Sequence, residues 1–226
     1  MNTASKIAKE STITFSGLVY GNVNRYLYTA LLARWVGAEF LGIYSLANSI
    51  MLISEVLGKM GLETGVMRFV SRLNPETDSE KIQKVIASAL KMTTIFSLVI
   101  MVGLILSSGI IANQILNEST LLTSVIIIFA IAIPFNGLTL VSAFATQGFK
   151  RLKYKTLVTQ FINPTFLLGS MLICFWFIST ESAIMVPMLI TGIIGFFVMV
   201  VVLKRISGVS NNQIIKAKFD SSLLKF

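Results

Sequence analysis

The chain contains no histidine, one cysteine and four prolines in 226 residues. Without imidazole there is no histidine acid–base catalysis and no histidine-ligated metal. The one thiol, Cys174, sits inside an apolar run. It has no second cysteine for an intrachain disulfide or a thiolate metal cluster. Charge is scarce as well: 13% of residues are charged, against about 25% in soluble domains. What the chain has instead is apolar content, 54%, with a mean hydropathy of +0.81. Several apolar runs of about 20 residues make it an all-α integral membrane protein. Six such helices use more than half of the chain, which leaves no room for a soluble catalytic domain. The expectation is therefore no catalytic residue, no metal, no cofactor and no enzyme activity.

The sequence predicts a six-transmembrane-helix bundle over residues 1–206 and a cytoplasmic tail over 207–226. The spans are expected at 13–33, 41–70, 85–111, 121–145, 156–178 and 182–203. Span one is the most polar, with Asn22, Asn24 and Arg25, and could lie on the membrane surface as an amphipathic helix. Span two is overlong and carries Glu55, Lys59 and Glu63 in its second half. Between spans two and three, Ser71–Lys84 reads as a polar loop with Asn74-Pro75 as its turn.

The net charge of +9 comes from 19 basic and 10 acidic residues. In a soluble protein it would suggest nucleic acid. Here its distribution speaks for topology. Lys6 and Lys9 precede span one. Arg68, Arg72, Lys81, Lys84 and Lys91 surround the second connection, Lys150, Arg151, Lys153 and Lys155 fill the fourth, and Lys204, Arg205, Lys216, Lys218 and Lys225 follow span six. Arg34 alone falls on the other side. By the positive-inside rule both termini are cytoplasmic, and no nucleic-acid partner is expected. The Lys150–Lys155 cluster reads first as a topology signal, with contact to anionic lipid as the lesser role.

Ionisable residues within spans are costly and turn toward a bundle interior or a hydrated cavity. Arg25 lies about 12 residues into span one, roughly 18 Å from its start. Asn22, Arg25 and Thr29 share about 60° of the helix wheel. In span two, Asn48, Glu55, Lys59 and Glu63 share about 80°, and Glu55–Lys59 is an i,i+4 pair in the favourable order. Two successive helices with one polar stripe each point to a shared hydrated cavity lined by Arg25, Asn22, Asn48, Glu55 and Lys59. The planar guanidinium of Arg25 suits phosphate. The simpler alternative is that Arg25 pairs with Glu55 and staples two helices, while Lys59 and Glu63 snorkel to the headgroups.

Pro134 lies inside span four beside Asn136 and Gly137, Asn163-Pro164 inside span five, and Pro187 near the start of span six. Proline removes a backbone hydrogen bond and bends a helix, so Pro134 and Pro164 are candidate hinges. Gly17 and Gly21 have a spacing that permits close helix approach.

A run of motifs resembles a known family. Ala33-Arg34-Trp35-Val36-Gly37, Phe40-Leu41-Gly42-Ile43-Tyr44, Gly61-Leu62 and Met67-Arg68-Phe69-Val70 match the opening of polysaccharide biosynthesis flippases. Ala145-Thr146-Gln147-Gly148-Phe149-Lys150-Arg151 resembles that family's connection after the fourth helix. These are O-antigen-type exporters of the multidrug/oligosaccharidyl-lipid/polysaccharide superfamily. The resemblance implies an alternating-access transporter in the cytoplasmic (plasma) membrane that moves polyprenyl-diphosphate-linked oligosaccharide for surface polysaccharide, with membrane lipids around it. It implies one lobe of a two-lobe fold, with a second six-helix lobe as partner, and Leu223-Leu224-Lys225-Phe226 resembles entry into that second lobe. Lipid II flippases of the superfamily carry arginine near where this chain has Glu55, which counts against lipid II. Related drug exporters often carry an aspartate in the first helix, and no span here has one. A drug/cation antiporter lobe coupled through Glu55, a non-transporting structural subunit and a truncated fragment are the competing readings. A membrane enzyme on the same lipid carrier is weaker, for want of histidine or clustered carboxylates.

Overall fold

A computed structural model describes residues 3–115, 120–179, 182–209 and 214, and these are helical almost throughout. The helices are α1 (Thr3–Trp35), α2 (Ala38–Lys59), α3 (Leu62–Arg72), α4 (Ser79–Gly109), α5 (Thr120–Gly148), α6 (Leu152–Thr156), α7 (Asn163–Phe177) and α8 (Ser182–Ser207). A wide π turn, Ile110–Ile115, extends α4, and a second, Leu157–Ile162, joins α6 to α7 into one rod. Expectations for most of the tail, including Lys216, Lys218, Lys225 and the closing Leu223–Phe226 run, lie outside the described residues.

The fold is an all-α membrane bundle. Among the described residues, five helices are long and apolar enough to cross a bilayer: α2, α4, α5, the α6–α7 rod and α8. At 33 residues α1 spans about 50 Å, so it has the length but not the apolarity. Chain direction alternates. Thr14 and Thr156 bring together the starts of α1 and the α6–α7 rod, and Trp35 stacks on Phe175 at their far ends, centroids 4.9 Å apart. Gln83 near the start of α4 donates to Ser207 O at the end of α8, 3.1 Å. The basic residues from Arg68 to Arg205, Lys91 apart, thus gather at one end, with Arg34 at the other.

Span two does not form one helix. α2 ends at Lys59, and the chain resumes as α3 at Leu62. Met60 (φ 48°) and Gly61 (φ 76°) are both left-handed between them. Glycine takes that conformation freely and methionine at a cost. Gly37 does the same work between α1 and α2 with φ 95°. These two motif glycines are thus turn residues. The Ser71–Lys84 loop is shorter than expected. It is confined to Leu73–Asp78, where Asn74 Oδ1 accepts from Glu76 N–H and Asn74 O from Asp78 N–H.

α5 is the hub, packed on α2, α3, α4 and α8. Its Phe129, Ile126 and Ile133 are fully buried. Small residues set the close approaches. A Cβ on Gly58 of α2 would lie 3.3 Å from Ser97 Cα of α4, and one on Gly148 of α5 2.8 Å from Val70 Cβ of α3. α1 lies mainly along the α6–α7 rod and touches α2 less. Much of it is uncovered: Phe15, Val19, Val23 and Tyr26 are exposed.

Candidate functional site

A cavity of about 500 Å³ lies between α1, α2, α5, the α6–α7 rod and α8. α1 contributes Arg25, Tyr28 and Thr29, and α2 contributes Tyr44, Asn48, Met51, Leu52 and Glu55. Asn136, Thr139 and Leu140 come from α5, Thr159, Asn163, Pro164 and Leu167 from the rod, and Met188 and Thr191 from α8. The mixture is apolar wall with a few convergent polar groups, which is the usual make-up of a small-molecule site.

The helix-wheel reading places Arg25, Thr29, Asn48 and Glu55 on this wall, and all four line it. Asn22 does not line the cavity. It lies one turn away and accepts from Arg25 Nη1, 3.3 Å. Lys59 does not line it either. It is 8% exposed, with its stem 3.8 Å from where a Gly137 Cβ would stand. It sits behind Glu55, Nζ to Oε2 3.9 Å, so burial excludes snorkelling for Lys59. Glu63 leaves the stripe because the helix breaks at Met60–Gly61. Pro134 is buried within α5, half a turn from Asn136, and is not part of the lining. Pro164 is.

Arg25 and Glu55 do not pair. Glu55 Oε1 accepts instead from Asn136 Nδ2 at 2.7 Å, and Lys59 supplies its counter-charge. Arg25 faces the rod. Its Nη1 donates to Gln160 Oε1 at 3.2 Å, and its Nη2 to Thr159 O at 3.0 Å. With the Asn22 contact, three of the five guanidinium N–H groups are used, and two remain.

α8 shapes the opposite wall through two glycines one turn apart. A Cβ on Gly192 would stand 2.9 Å from Asn136 Oδ1, and one on Gly195 2.8 Å from Asn163 Oδ1. The two carboxamides are therefore seated against bare backbone. Asn163 Oδ1 is buried and has no hydrogen-bond partner among the described residues. Tyr28, Tyr44 and Phe129 close one end as an aromatic layer, with successive centroids 5.5 and 5.9 Å apart.

Sequence reasoning singled out Asn136 and Asn163 only as neighbours of prolines and passed over Gln160. For Asn136 and Thr139 the signal was present, since they are three apart in an apolar span and share a helix face. Gln160 and Asn163 have the same spacing, but the π turn sends Gln160 toward Gly21 of α1 and Asn163 toward Gly195 of α8. Among the described residues no group of three histidine, cysteine or carboxylate side chains could hold a metal.

No curated protein and no solved structure matches the chain. The polysaccharide biosynthesis protein family matches residues 7–224, almost the whole length. The motif order, the all-helical membrane bundle and that match agree: the chain belongs to the polysaccharide biosynthesis protein family.

Proposed function

We propose that the protein translocates a polyprenyl-diphosphate-linked oligosaccharide across the plasma membrane by alternating access, making and breaking no bond. The observation that carries this reading is the charge balance of the cavity. Its ionisable wall residues, tyrosines aside, are Arg25 and Glu55. Glu55 is matched by Lys59 and held by Asn136. Among the described residues Arg25 has no acidic partner, and it has two N–H groups to offer. An anionic headgroup would meet a planar donor fork there, while the sugar would meet the carboxamides of Asn48, Asn136 and Asn163. Arg25 and Thr29 are exposed where they line the cavity, so a facing wall, such as a second six-helix lobe, would complete it. The gathering of basic residues at one end supports cytoplasmic termini, with α1 as the sixth span.

The test is export of surface polysaccharide by cells carrying Arg25→Ala or Arg25→Lys at matched protein level. We expect near-complete loss with alanine and partial retention with lysine. Full export by the alanine form removes Arg25 from the mechanism. The rival is a drug/cation antiporter coupled through Glu55. Proton- or sodium-dependent efflux of a cationic dye that Glu55→Gln abolishes would favour it.

A further inference from the structure

Pro164 makes an acceptor that the helix cannot use. In the π turn, Asn163 N–H bonds to Val158 O, five residues back. The next carbonyl, Thr159 O, would in the same scheme take the N–H of residue 164. That residue is proline and has none. An α-helical pairing would instead strip Gln160 O of its donor. Either way the rod carries an unpaired carbonyl within an apolar span, and such a group must find a donor. α1 supplies it: Arg25 Nη2 lies 3.0 Å from Thr159 O. Gly21 lets α1 come close enough. A Cβ there would stand 2.6 Å from Gln160 Oε1 and 2.9 Å from Gln160 O. Gln160 Oε1 in turn accepts from Arg25 Nη1.

We propose that Pro164 and Gln160 are positioning residues for Arg25. Pro164 leaves Thr159 O open as a fixed backbone anchor. Gln160 takes the second nitrogen. The guanidinium is thereby held in one orientation at the cavity wall, with two of its N–H donors left unused. The rod is thus the socket in which the cationic group of α1 is set. This deepens the transport reading and rests on it for the identity of the anion, but the geometry itself can be read without substrate.

The experiment uses the full chain in lipid nanodiscs, with spin labels at exposed Val23 and Phe166 to report the distance between α1 and the rod. Pro164→Ala restores an N–H that competes for Thr159 O. We expect a narrow distance distribution in the unaltered chain and a broadened one in Pro164→Ala, in Gln160→Leu and in Arg25→Ala. The Pro164→Ala/Arg25→Ala double variant should broaden no further than either alone. An unchanged narrow distribution in Pro164→Ala overturns the proposal, and so does additive broadening in the double variant. A second arm titrates inorganic pyrophosphate. Pro164→Ala should weaken its binding about tenfold with Arg25 present, and not at all with Arg25 already removed. If the distances change as expected while Arg25→Ala leaves pyrophosphate binding intact, the positioning role stands and the diphosphate reading falls.

Discussion

Asn136 on α5 donates to Glu55 on α2 across 2.7 Å, and this bond joins the hub helix to the helix that carries the cavity's one carboxylate. Asn136→Leu should leave that carboxylate with only the looser Lys59 contact. A cost of about 1–3 kcal/mol in stability is expected, read as a lowered unfolding temperature in detergent. Gly192→Ala should reproduce much of the loss by pushing the Asn136 carboxamide out of its seat. An alanine variant as stable as the parent would show that the seat is not tight.

Glu55 and Lys59 should behave as a unit. Each is about nine-tenths buried, so removing one leaves the other as an uncompensated charge. Lys59→Met or Glu55→Gln alone should each cost roughly 3 kcal/mol, and the double replacement clearly less than their sum. Additive losses in thermal unfolding would mean that the two charges do not feel one another.

Glycines on α1 and α4 should respond in opposite directions. Gly21→Ala places a Cβ 2.6 Å from Gln160 Oε1 and must separate α1 from the rod, whereas Gly103 meets nothing within 4 Å. Gly103→Ala should be neutral or stabilising by up to about 1 kcal/mol. Gly21→Ala should be destabilising and should broaden the Val23–Phe166 distance. Equal behaviour of the two variants would contradict the close approach.

The turn between α3 and α4 should be acid-sensitive. The Lys81 ammonium, 2.9 Å away, and Asn74 N–H hold the Asp78 carboxyl below the usual carboxylate range. A carboxyl whose folded pKa is depressed favours the ordered turn above its unfolded pKa, and loses that contribution as pH falls through the folded value. Protection of the Leu73–Asp78 amides, taken relative to intrinsic exchange at each pH, should therefore fall on acidification, and Asp78→Asn should abolish that fall. A dependence that persists in Asp78→Asn would assign it elsewhere.

Much of the membrane architecture was legible because apolar run length is a direct physical requirement of the bilayer. Polar positions were legible in part. A wheel places Arg25 and Asn48 toward a shared interior, since the stripe depends only on local helix geometry. It misplaces Lys59, which lies behind Glu55 with its stem packed against the bare backbone of Gly137. It also fails past Met60, where a left-handed methionine breaks the phase. The partner of Arg25 was the hardest to foresee. An arginine and a glutamate on adjacent spans suggest an ion pair, but the choice went to a backbone carbonyl that a proline had left open. That choice depends on a π turn, which no periodicity announces.

The same π turn means that the rod holds more residues than its length in α turns needs. Deleting one residue between 157 and 162 would give a more regular helix with better internal bonding. It would also rotate everything on one side of the deletion by about 100° relative to the other. Thr156, which meets Thr14, and Phe161 and Thr165, which stack on and hydrogen-bond with Tyr20 respectively, could then no longer all meet α1 on one face. Local regularity and correct phase are opposed in this segment, so its length in residues is under tighter constraint than the identity of most of them.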